Sequence, residues 1–136
     1  MEGKIHKLLK HAARKELKNQ KYTLYHEPIE SPLNRLFWHS YRPDILGVQK
    51  MCSIFKVVLV ECETKPNQNR VLRKSAQIKR VFSLQKQLNE KQAILPLLVI
   101  PFKNLHKVNC LEIRSFWEIW IVNHLGEIMH KISRIQ

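Results

Sequence analysis

With 136 residues, 44% of them apolar and 26% charged, the chain has the make-up of one folded domain that can bury a core, which excludes a disordered segment. Lysine and arginine number 24 against 11 acids, and the formal charge of +13 points to a polyanionic partner, DNA first and RNA as the other candidate. No apolar run approaches the roughly 20 residues of a membrane span, no secretory signal opens the chain, and three cysteines without C-x-x-C spacing read as reduced thiols, so a cytoplasmic protein with no membrane partner is expected.

In chain order, residues 2–19 read as a helix: Ile5, Leu8, Leu9, Ala12, Ala13 and Leu17 recur at helical spacing among lysines and arginines. Tyr22 to Tyr25 is a short strand stopped by Pro28, and residues 28–40 read as a loop carrying the apolar patch Leu36-Phe37-Trp38. Asp44 to Val48 and Phe55 to Glu63 form strands joined through Lys50-Met51-Cys52-Ser53, an antiparallel hairpin. A long helix follows at about 70–90. Ala93 to Ile100 is apolar almost throughout and is expected to be central and buried on both faces. Residues 102–110 suggest a short helix, and Phe116 to Val122 with Glu127 to Ile135 read as a closing hairpin that turns at Asn123-His124-Leu125-Gly126. The order α-β-β-β-α-β-β-β predicts one α/β domain over 1–136 with a mixed sheet flanked by helices.

Acids collect where two of these strands meet. Asp44 follows Pro43 at the head of one strand, and Glu61 and Glu63 sit two apart where the next one ends, so both face the same side. Carboxylates gathered in this way repel one another unless a proton or a metal ion lies between them. Arg73, Lys74, Lys79 and Arg80 on the following helix supply charge that can position phosphates. The seven histidines show no zinc spacing, and three glycines hardly build a phosphate loop, so neither zinc nor a nucleotide cofactor is expected. Trp117 and Trp120 fall on opposite strand faces, one in the core and the other in the core, at an interface or against bases.

In this order and setting the chain resembles the PD-(D/E)xK nucleases, which have a restriction-endonuclease-like fold. The likeness rests on Pro43-Asp44 and on Val60-Glu61-Cys62-Glu63-Thr64-Lys65, spans roughly residues 2–100, and leaves the C-terminal hairpin as an addition. It implies that Asp44 and Glu61, with the Cys62 carbonyl, hold Mg2+ or Mn2+. Two registers stay open for the triplet: Glu61-Cys62-Glu63, with Glu63 where the family's lysine stands, or a literal Glu63-Thr64-Lys65. The first is preferred because Cys62 suits a core-facing middle position. It leaves Glu63 as further ligand or general base and Lys65, taken to be one step out on the same face, as a stabiliser of developing charge. Gln77 stands where relatives carry a site-lining glutamine, and Glu27 is a weaker candidate for an additional metal ligand, ahead of Glu16. The implied function is a Mg2+- or Mn2+-dependent endonuclease acting on DNA, closest to the small Holliday-junction resolvases and so a homodimer. The alternative is a non-catalytic nucleic-acid-binding subunit that retains the fold, and a third is a basic RNA-associated module whose acids are incidental.

Overall fold

A computed structural model describes residues 3–25, 41–87 and 92–135, and their side chains except over 81–92. Glu27 and the loop expected over 28–40 lie outside the described residues. Helix α1 (Lys4–Asn19) is followed by strands β1 (Thr23–Tyr25), β2 (Ile45–Met51) and β3 (Ile54–Cys62), helix α2 (Gln68–Gln87) and strand β4 (Gln92–Pro101). A 3-10 helix (Phe102–Lys107) and the single-turn helix α3 (Leu111–Arg114) lead to β5 (Glu118–Val122) and β6 (Ile128–Ile132). The predicted order of long helices and strands is observed, and α3 is an element that the periodicity did not reveal.

All six strands form one sheet in chain order. The β1–β2, β2–β3 and β5–β6 pairs are antiparallel, while β3–β4 and β4–β5 are parallel. This mixture follows from the connections. A two-residue turn at Cys52-Ser53 can only reverse the chain, whereas α2 and then the 3-10 helix with α3 are crossovers that return it in the same direction. Cys52 takes a φ of +54° in that turn.

Alternation along the strands creates two cores. Leu9, Ala12, Ala13 and Leu17 of α1 cover one face, against Ile45, Val58, Val60, Leu97 and Val99. Val71 and Ile78 of α2, with Val108, Ile113 and Trp117, cover the other, against Leu46, Val57, Leu59, Leu98 and Ile100. Strand β4 is central as expected, and its Leu97 to Ile100 are buried on alternate faces. Pro96 is tolerated within it because β5 joins only from Leu97 onward, so β4 is still one-sided at the proline. Trp117 and Trp120 are core residues: Trp117 lies just before β5 on the α2 face, and Trp120 on the α1 face. The Trp117 indole N–H donates to Ser75 Oγ at 2.8 Å, which ties α2 to the approach to β5. The three cysteines are free. No described helix is long and apolar enough to cross a membrane.

Candidate functional site

Asp44 and the end of β3 meet because β2 and β3 pair with Ile45 opposite Val60. That register sets Asp44 one residue before the strand, where its N–H donates to the Val60 carbonyl at 2.9 Å. Its carboxylate accepts the Cys62 N–H at 2.8 Å, and His6 of α1 approaches the same oxygen to 3.6 Å. Asp44 is thus held by backbone from β3 and faced by a side chain from α1.

Glu61 and Glu63 continue the parity of Val57 and Leu59, so they project toward α2. Both are buried, at 2% and 4% exposure, which demands compensation. It comes from Lys74, whose ammonium donates to Glu61 Oε2 at 2.7 Å and to Glu63 Oε1 at 2.5 Å. The Tyr41 hydroxyl donates to the other Glu61 oxygen at 2.7 Å, and Arg70 Nε stands 3.4 Å from Glu63 Oε2. Lys74 reaches the acids because it shares the inward stripe of α2 with Val71 and Ile78.

The electrostatics follow from burial against partners. Burial pushes Glu61 up to about 7, opposed by Lys74 and assisted by repulsion from Asp44. Burial disfavours the Lys74 ammonium, yet Glu61 and Glu63 outweigh it and leave that group more basic than an ordinary lysine. Tyr41 is raised well above the usual phenol range, by burial first and then by Glu61. Burial likewise raises the Cys62 thiol, which sits in the α1-side core.

The oxygen donors suit a hard cation in the manner of magnesium, which takes one or two carboxylates and completes its shell with water and substrate phosphate. Asp44 lies close enough to raise Glu61 by repulsion, and an added positive charge would relieve that. A ready-made cage is a different matter: among the described residues no three His, Cys, Asp or Glu side chains are grouped to hold a metal ion. The Lys74 ammonium bridges Glu61 and Glu63, and the Asp44 carboxylate is tied to the Cys62 N–H.

Of the residues singled out in the sequence, Asp44, Glu61, Glu63 and Lys74 come together, and Lys74 does so as a partner of the acids. Cys62 also lies there, giving its N–H to Asp44. Lys65 does not sit on the β3 face, because the strand ends at Cys62; it is exposed and lines a cleft with Lys103 and Lys107. Gln77, Arg73, Lys79 and Arg80 are exposed on α2, and among the described residues Gln77 makes no hydrogen bond to the acids. Glu16 bonds Lys131 and Gln20, a structural role. Sequence reasoning missed Tyr41, His6 and Arg70. The α2 stripe carried a signal for Lys74 as an inward residue, whereas nothing periodic marks Tyr41.

Comparison of the chain with protein-family models, with curated proteins and with solved structures gave no match.

Proposed function

We propose that this chain is a metal-dependent deoxyribonuclease with the restriction-endonuclease-like fold of the PD-(D/E)xK nucleases. The observation that carries the reading is the Lys74 ammonium held by Glu61 and Glu63 beside Asp44. The preferred register left Glu63 where the family's lysine stands, and the Lys74 ammonium reaches Glu63 from α2, outside the triplet. Three acids at the start of β2 and the end of β3, with one lysine from α2, form a donor set suited to metal-assisted phosphodiester hydrolysis.

Asp44 and Glu61, joined by substrate phosphate oxygens, would hold Mg2+ or Mn2+, which polarises the scissile phosphate and acidifies water beside it. Tyr41 fixes the orientation of Glu61 through one oxygen and leaves the other to Lys74. Lys74 supplies positive charge where negative charge develops. Glu63, bound to Lys74 and faced by Arg70, can accept the proton from water. We further propose a homodimer with one such site per strand.

The test is cleavage of labelled four-way-junction, flap, duplex and single-stranded DNA with Mg2+ or Mn2+. Asp44→Asn, Glu61→Gln and Lys74→Met should each lower the rate by roughly a hundredfold or more. One observation favours the non-catalytic rival: Lys74 already compensates both buried glutamates. Pure protein that binds DNA but cuts none of these substrates with either metal would establish that rival.

A further inference from the structure

Beside the acids lies a basic cleft of about 1030 Å³ between the N-terminus of α1, the β3–α2 connection and the 3-10 helix. Lys4, His6, Lys65, Lys103 and Lys107 line it, and among the described residues no acid does. Its walls are braced: the Asn104 side chain, buried in the 3-10 helix, donates to the Thr64 carbonyl at 3.1 Å. The cleft reaches toward Asp44, since His6 in its lining stands 3.6 Å from that carboxylate. Such a concentration of lysine attracts a phosphate chain.

A second cavity, of about 520 Å³, adjoins it and shares Ile5 and Lys103. Here the lining is mainly apolar, with Leu8, Phe102, Val122 and Met129 beside Asn123 and His124, and Phe102 is 56% exposed. The β5–β6 turn closes one side, because Gly126 at φ +82° lets the turn press against Leu8. A lysine track running into an apolar pocket with an exposed aromatic ring is the pairing that holds single strands: phosphates follow the charge and a base stacks on the ring. Duplex DNA keeps its bases stacked inside and has nothing to place there.

We propose that a single strand of nucleic acid crosses this edge, its phosphates in the lysine cleft and one unpaired base in the adjoining pocket against Phe102. Where the scissile phosphate lies rests on the nuclease reading; the strand's path does not. The substrates selected would then be those with unpaired nucleotides beside the cut, such as flaps, junctions and single strands.

Anisotropy titrations of labelled oligothymidine and of a blunt duplex, in EDTA over a range of salt, test the path without cleavage. Lys103→Ala/Lys107→Ala should weaken oligothymidine binding roughly tenfold and lower the salt slope by about 1.4. Phe102→Ala should weaken oligothymidine roughly tenfold while leaving the duplex within about twofold. All three positions are exposed, so unchanged thermal melts verify the fold of the variants. Wild-type protein that binds no oligothymidine, or variants that bind it as the wild type does, overturns the path. Loss of binding on Arg73→Ala/Arg80→Ala, with Lys103→Ala/Lys107→Ala unaffected, moves the strand to α2 and overturns it as well. Single-strand binding with the expected sensitivities, in a protein that cuts nothing with Mg2+ or Mn2+, removes the nuclease and keeps the path. Cutting that survives alongside unaffected binding in the variants keeps the nuclease and removes the path.

Discussion

Lys74 Nζ lies 2.5 Å from Glu63 Oε1, although eleven residues and a change from strand to helix separate them. The same nitrogen satisfies Glu61, so one cation holds two buried carboxylates. Lys74→Met leaves Glu61 to the Tyr41 hydroxyl and Glu63 to the exposed Arg70, and breaking a buried pair from one side is costly. With the lysine side chain 22% exposed, the expected loss is at the low end, roughly 3 kcal/mol at pH 8. Urea unfolding measures it, and the loss should shrink at pH 5, where Glu61 takes up a proton. An equal loss at both pH values would contradict this account.

Glu61 gives the metal-free protein a pH dependence of definite sign. Its folded value of about 7 lies above the ordinary 4.5, so between these values the native state binds more protons than the unfolded one. The contribution is complete below 4.5 and is lost as the pH rises through about 7. Stability in EDTA should therefore fall across that window by roughly 3 kcal/mol from this group. Glu61→Gln should flatten the decline; parallel curves for the two proteins would show that another group is responsible.

Tyr41→Phe removes the hydroxyl that donates to Glu61. A hydrogen bond to a charged acceptor contributes about 1.5–3 kcal/mol, so a loss in that range is expected at pH 8. The hydroxyl favours ionised Glu61, and its removal should carry the midpoint of the pH-dependent decline upward. A midpoint that stays in place or moves down would show that the hydroxyl is unimportant to the acid.

Ser75→Ala tests the tie between α2 and the approach to β5. Ser75 Oγ accepts the buried Trp117 N–H and donates to the Val71 carbonyl. Leaving the indole N–H without an acceptor should cost about 1–3 kcal/mol. Chemical denaturation reads the loss, and tryptophan fluorescence should report a changed indole environment.

Gly126→Ala should destabilise for two separable reasons. The φ of +82° costs an L-residue about 1–2 kcal/mol, and the added Cβ would lie 2.8 Å from a Leu8 methyl. Leu8→Ala in the same background should recover the steric part only, which a double-mutant cycle resolves.

Apolar spacing of 3.6 or 2 and the turn residues express local geometry, and they predicted the long helices and the strands, though not the single-turn α3. The sequence marked β4 as central through its unbroken apolar run, and it set Glu61 and Glu63 on one face by strand parity. The partner of those acids was decided by tertiary structure alone. The α2 stripe marks Lys74 only as inward-facing, and the packing of Val71 and Ile78 onto the sheet aims it at the carboxylates. Lys65 seemed near the acids because parity was extended past Cys62, where β3 has already ended. Tyr41 and His6 come from segments distant in sequence, and no local period records a contact made by the chain's path through space. Periodicity specifies which face a side chain takes; which charge it meets there depends on how the layers pack.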